Sequence, residues 1–234
     1  MCPKIHSNTE NLQVLYEDNH LIVINKRAGD IVQGDKTGDT PLSDIVKNYI
    51  KDKYKKPGNV FLGVVHRLDR PTTGIVVFAK TSKALGRLNE LFRLKKVQKS
   101  YWAIVKNPPP EKKGLLSHWL KKNATTNTSK AFTKEVEGSK KALLEYTVKK
   151  KLDRYFLLEI MLHTGRHHQI RVQLASVGSP IKGDLKYGFD RSNPDGSISL
   201  HARYLEFIHP VKKEPVHIVA PLPADPLWDA CVKD

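Results

Sequence analysis

Cysteine is nearly missing from this chain: Cys2 and Cys231 are the only two in 234 residues, one near each end, with no CxxC pair. That excludes a cysteine zinc site and argues against a disulfide framework, so the expectation is a cytoplasmic protein with reduced thiols. Long apolar runs are missing too. Nothing approaches the roughly 20 residues of a membrane span, and MCPKIHSNTE has no apolar core of the kind a signal peptide carries. No internal repeat of fixed period occurs. Negative charge is scarce: 24 Asp and Glu stand against 40 Lys and Arg, a net +16. A chain this basic attracts polyanions, because neutralising phosphates releases counterions, and nucleic acid is the commonest such partner. The bland alternative is a lysine-rich surface on a soluble protein.

The pattern that is present is β-rich. VLYEDNHLIVINKRAG predicts two strands around an Asp-Asn turn, ended at Gly29. Thr40 suits a helix cap and Pro41 a first helical position, with Leu42, Ile45, Val46, Tyr49 and Ile50 on one face. FLGVV and IVVFA predict strands, and an amphipathic helix follows Ser82 with Leu85, Leu88, Leu91 and Phe92 inward. YWAIV at 101–105 predicts a strand. KKNATTNTSKAFTKEVEGSK, about 121–141, is polar and has no buried face, as in a surface insertion or floppy hairpin. LLEYTVKKKL and YFLLEIML flank Asp153-Arg154 as a hairpin. A helix is predicted from His167 to Val177, burying Ile170, Leu174 and Val177, and HARYLEFIHP and PVHIVAP close the sheet. The expected fold is α+β: one domain over 1–234 on a mixed, mainly antiparallel sheet flanked by helices.

Three stretches have the composition of a site. HRLDRPTTG sets Asp69 between Arg67 and Arg70 at the junction of two apolar runs. Neighbouring positive charge favours the ionised carboxylate while burial opposes it, and a lone ionised aspartate in a dry pocket suits nucleophilic attack or the stabilising of a developing cation. A turn with a surface ion pair is the bland reading. In KSYWAIV, Tyr101 and Trp102 alternate, so one is expected in the core; Tyr101 offers a stacking plane and a hydroxyl. HTGRHHQIRVQ holds His163, His167 and His168. Adjacent helical histidines diverge by about 100°, and the HxxxH spacing of zinc helices is absent, so no metal site is expected. Arg171, at the edge of the buried stripe, needs a carboxylate if buried, with Asp69 the candidate.

Together these stretches resemble the RluA-type pseudouridine synthases of the RluA/RsuA superfamily. HRLDRPTTGIVVFAK is similar to that family's HRLD segment, its Thr-Ser-Gly-like triplet and the strand ending in Ala-Lys. KSYWAIV matches its Lys-x-Tyr strand and TGRHHQIRVQLA its TGRxHQIR segment, and PIKGDLKYG and LHARYLEFIHP look like its late motifs. The likeness covers about 12–221. Thr73 stands where serine is usual and keeps the hydroxyl. The pattern starts almost at once, without the small N-terminal RNA-binding domain of many members, so RNA contacts are expected from the catalytic domain itself.

The resemblance implies isomerisation of uridine to pseudouridine within ribosomal or transfer RNA, by a monomer, with no metal or organic cofactor. It implies Asp69 as nucleophile, Arg171 as the arginine paired with it, and Tyr101 stacked on the target uracil. Arg67 would fill the gap left by the flipped nucleotide, and Ile170 would pack on the base. His66, Arg70, Thr73, Arg166, His168 and Gln169 complete the expected substrate contacts. Base flipping fits, since a buried aspartate cannot reach the anomeric carbon of a stacked nucleotide. An RNA-binding module without catalysis leaves Asp69 unexplained amid arginines. A nucleoside or glycoside hydrolase normally needs two carboxylates, and the three stretches offer one.

Overall fold

The computed structural model describes residues 5–35 and 37–233; Cys2 falls outside them. In chain order the elements are β1 (Val14–Glu17), β2 (Leu21–Lys26), α1 (Leu42–Lys53), β3 (Gly63–Val64), β4 (Thr73–Ala79) and α2 (Ser82–Arg93). Then come β5 (Gln98–Val105), β6 (Lys113–Asn123), β7 (Thr128–Phe132), β8 (Lys140–Lys151), β9 (Phe156–Leu162) and α3 (Gln169–Ser176). β10 (Leu200–Ile208), β11 (Pro215–Val219) and α4 (Pro226–Val232) end the chain. The class is α+β with a mainly antiparallel sheet, as expected. No helix among the described residues is long and apolar enough to cross a membrane. The chain divides into two compact units, Met1–Gln98 with Ala202–Pro221, and Lys99–His201 with Leu222–Asp234.

In the first unit the strand order is β1-β2-β4-β10, with β11 on β10 and β3 on β4. β2 and β4 are buried at every position, which is why LIVINK and TGIVVFA read as continuous apolar runs rather than alternating ones. They pair from Leu21↔Ala79 to Lys26↔Gly74. The predicted FLGVV strand shrinks to two residues. Beyond Val64 the ring Nε2 of His66 accepts from the Val77 amide (3.1 Å), taking the place of the next ladder bond. Thr40 does not cap α1. Pro41 occupies the cap position, and the Leu42 and Ser43 amides donate to the carbonyls of Ile31 (2.7 Å) and Val32 (3.2 Å), so the helix start needs no side-chain acceptor. Thr81 does cap α2, accepting from the Ala84 amide at 3.2 Å.

Glu17, at the end of β1, carries a pH-dependent share of this unit's stability. Its carboxylate accepts from Lys53 (2.7 Å), Lys80 (2.7 Å), Tyr49 (3.2 Å) and Tyr54 (3.0 Å). Burial pushes the carboxyl up, and the bonds from Lys53, Lys80 and Tyr54 more than reverse it, holding it at about 2 against an ordinary 4.5. A depressed carboxyl stabilises the fold above its unfolded value, so this contribution is complete above pH 4.5 and is lost as pH falls through 2. Allowing for solvent screening of Lys53, it amounts to about 2 kcal/mol. The urea midpoint should therefore drop between pH 6 and pH 3, and Glu17→Gln should flatten that drop; an equal drop in both proteins would refute the assignment.

In the second unit the order is β5-β9-β8-β6-β7, and each neighbouring pair runs antiparallel. Of the two forms expected for the 121–141 stretch, the structure has the hairpin: β6 runs through Asn123, turns, and returns as the paired strand β7. The turn is fastened by the Asn123 side chain, which accepts from the amides of Thr125 (2.9 Å) and Thr126 (3.2 Å). α4 has no counterpart in the sequence reading. Asp225 caps it and Pro226 opens it, while Trp228 and Cys231 pack with Trp102, Ile104 and Leu157. Burial pushes the Cys231 thiol up to about 11, so it stays protonated.

Candidate active site

Asp69 is half-buried at the start of a tight turn in the first unit, where its carbonyl accepts from the Thr72 amide at 3.0 Å. Beneath that turn lies a cation the sequence reading did not single out. Lys26 ends the apolar strand β2 and is 1% exposed. Its ammonium donates to the carbonyls of Arg70 (3.0 Å), Thr72 (2.8 Å) and Arg27 (2.9 Å), one acceptor for each of its three N–H groups. The Gly29 amide adds a second donor to the Arg70 carbonyl at 2.9 Å. Burial drives Lys26 down to about 7; Asp30 and Asp69 oppose the fall, and Arg70 adds to it.

The arginines flanking Asp69 have other placements. Arg67 is exposed, and Arg70 turns to Asp39 at 2.5 Å. His66, expected at the substrate, holds the Val77 amide and stacks on Phe92 with ring centroids 5.0 Å apart. Thr73 is buried as the first residue of β4. Gly74, next along, has φ +108, and a Cβ there would lie 2.4 Å from the Ala202 carbonyl oxygen. The backbone of β10 comes so close that no side chain fits. The carboxylate is thus presented from a loop pinned from below by Lys26 and from behind by β10.

In the second unit Tyr101 is buried on β5, opposite Ile160, while Trp102 faces the other way into the cluster around Trp228. The alternation therefore splits the pair as expected: Tyr101 is the buried member, and Trp102 is partly buried on the opposite face. Arg171 is 4% exposed on α3, and its Nε and Nη2 donate to the two carboxylate oxygens of Asp184 at 2.7 and 2.8 Å. Asp184 is itself 1% exposed. Tyr187 supports the pair: the guanidinium carbon lies 5.1 Å from its ring centre. Its hydroxyl meets the ring Nδ1 of His168 (2.8 Å) and accepts from the Ser129 amide (2.8 Å). Asp184 and Tyr187 bracket a short turn in PIKGDLKYG, so one loop delivers both partners to Arg171.

The helix carrying Arg171 starts at Gln169, two residues later than expected. His168 sits in the left-handed region (φ 54), which an α-helix cannot include. His167 and His168 do not diverge but stack, with ring centroids 3.7 Å apart. Gln169 locks the segment before the helix: its side-chain oxygen accepts from Thr164 (2.7 Å) and the Arg166 amide (3.0 Å), and its nitrogen donates to the Leu143 carbonyl (3.1 Å). Arg166 is exposed and donates to the Lys141 carbonyl at 3.1 Å, and Ile170 is 5% exposed. Among the described residues no three His, Cys, Asp or Glu gather as metal ligands.

Residues 20–176 match the family model described as RNA pseudouridylate synthase. The chain belongs to the RNA pseudouridylate synthase family. Among its pseudouridine synthase relatives is the ribosomal large subunit pseudouridine synthase C of Buchnera aphidicola subsp. Acyrthosiphon pisum, 35% identical over 230 residues, 95% of this chain and 71% of that one. The ribosomal large subunit pseudouridine synthase D of Xylella fastidiosa is 34% identical over 227 residues, 92% of this chain and 67% of its own. Among solved structures, human RNA pseudouridylate synthase domain containing 4 superposes with a TM-score of 0.75 at 26% identity, covering 91% of this chain and 89% of that one. Pseudouridylate synthases are isomerases acting on RNA. The matched segment contains Lys26, Asp69, Tyr101 and Arg171, whereas Asp184 and Tyr187 lie just beyond it.

Proposed function

We propose that this pseudouridylate synthase rearranges a uridine of large-subunit ribosomal RNA, with Asp69 as its nucleophile, working as a monomer in the cytoplasm. The observation that carries the reading is a half-buried carboxylate on a turn whose carbonyls are pinned by a buried ammonium, inside the segment that matches the family. The names of the relatives favour ribosomal RNA over transfer RNA. In the reaction the bond from uracil N1 to the ribose anomeric carbon breaks and one from carbon 5 forms. Carbon 5 gives up its proton to water and N1 gains one, so no redox partner is required.

Each remaining residue has a role in that reading. Tyr101 is the plane on which the extruded uracil stacks, Ile170 packs on the base, and Arg67 fills the vacated position in the RNA. Arg171 is, in this reading, the cation that pairs with Asp69. Arg70 and Arg166, both exposed, contact phosphates. His66, Thr73, His168 and Gln169 serve the substrate by holding the two motif loops in shape, as the bonds of His66, His168 and Gln169 support.

Product analysis tests the proposal. Large-subunit ribosomal RNA transcribed with tritium at carbon 5 of uridine should release label to water, and its nuclease digest should contain pseudouridine. Unchanged uridine would point to a binding module, and free uracil to a hydrolase; either would overturn the reading.

A further inference from the structure

The β6–β7 hairpin has two unlike faces. Leu120, Ala131 and Ala142 point one way and pack with Val172 of α3. On the other face the register sets Trp119 opposite Phe132 and Lys121 opposite Lys130, and Lys141 of β8 opposite Trp119. Directly opposed side chains sit about 5 Å apart at Cβ, and two like charges so placed destabilise a hairpin. Lys121, Lys130 and Lys141 are exposed, and among the described residues no ion pair engages them. Glu135 and Glu137 lie on the following turn without an ion pair, and Glu145, farther along the same face, is taken by His163 at 2.9 Å. Trp119 and Phe132 are only partly buried, and the Lys130 ammonium lies 5.4 Å from the Phe132 ring centre. The face stays uncovered farther along, where Leu115 and Met161 are 56% and 44% exposed.

A chain that folded for itself alone would gain from a Glu opposite Lys130. Retaining two opposed lysines beside an aromatic pair makes sense when the missing counter-charge arrives with a partner. The partner that brings both anionic charge at short spacing and flat rings is a nucleic acid strand. We infer that the outward face of this hairpin is a platform for single-stranded RNA, taking phosphates on Lys121, Lys130 and Lys141 and stacking bases on Trp119 and Phe132. The inference deepens the RNA reading above and rests on it, but it concerns a face other than the one packed on α3. The open cation-and-aromatic composition suits sequence-tolerant binding, so the strand it holds flanks the target rather than containing it.

Binding of a short fluorescent oligoadenylate to the full chain tests this apart from catalysis, since that probe contains no uridine. Lys121→Glu creates an opposed Glu–Lys pair, so the free protein should melt at a higher temperature while binding the probe about tenfold more weakly. Replacing Lys121, Lys130 and Lys141 by Gln should reduce the log–log salt slope by about 2, at about 0.7 per phosphate contact. Trp119→Leu and Phe132→Leu keep apolar bulk but lose the flat ring. Each should weaken binding about tenfold and leave the slope unchanged. Unchanged affinity in Lys121→Glu, or in both ring variants, would overturn the platform even if pseudouridine is formed normally. The expected losses in a protein that forms no pseudouridine would leave the platform standing and remove the catalytic reading instead.

Discussion

Asp69→Asn should fold, melt within a few degrees of the parent and bind ribosomal RNA, yet release no label from uridine carbon 5. The substitution keeps the size of the side chain and removes the charge and the nucleophilic oxygen pair. The turn beneath it is held by backbone carbonyls to Lys26 and Gly29, none of which the substitution touches. Its stability should therefore fall only modestly, through the lost charge near Lys26, and far less than its turnover. Removing a nucleophile from an otherwise intact site lowers turnover by at least about 10⁴-fold. The measurement is single-turnover tritium release at saturating RNA, with binding followed separately by filter retention. Turnover within tenfold of the parent would remove Asp69 from the chemistry.

Arg171→Ala should be the most destabilising single change at the site. It strands the Asp184 carboxylate, 1% exposed, without its bidentate partner, and it takes away the cation over Tyr187. Breaking a buried pair in this way costs about 3–5 kcal/mol, which for a chain of this size lowers the melting temperature by about 10 °C. Arg171→Lys keeps the charge but cannot offer the two parallel N–H bonds, so it should fall between the two. Replacing both partners, as Arg171→Leu with Asp184→Leu, removes both buried charges together. Stability should then recover most of the loss while pseudouridine formation stays absent. That split separates a role in chemistry from a role in packing. Activity returning with stability would make Arg171 a scaffold residue only.

The same pair shows where the sequence stopped being informative. A buried arginine demands a carboxylate, and its position at the edge of the α3 stripe was visible from the apolar spacing. Which carboxylate meets it is a matter of how PIKGDLKYG folds back, and no local period encodes that. Lys26 escaped for the opposite reason. The strand pattern runs through it to Gly29, but a lysine following an apolar run usually reaches solvent, and only the fold shows three carbonyls around it.

Elements with continuous apolar runs, β2 and β4, and the helix with a clean period, α2, were legible because their burial follows directly from side-chain pattern. The start of α3 was not, because His168 is held in its left-handed turn by Tyr187, and a tertiary contact overrides the periodicity of HHQIRVQL. The 121–141 hairpin showed no buried face in the sequence because its outward positions carry lysines where strands usually carry alternating neutral residues. Its strand pairing shows only in the backbone register and in the Asn123 turn. α4 is too short for a period to emerge.

The tight approach of Gly74 to Ala202 also makes the segment ahead of it a ruler. Asp69 must emerge from the turn at a fixed distance from the point where β10 touches β4, because only the glycine position tolerates that contact. An added residue would press a side chain into the Ala202 backbone, or else shift β4 by one and turn each of its side chains to the opposite face. The letters between the aspartate and the glycine are therefore freer to drift than their number is, and the length of this stretch is set by the sheet, independently of whatever chemistry the carboxylate performs.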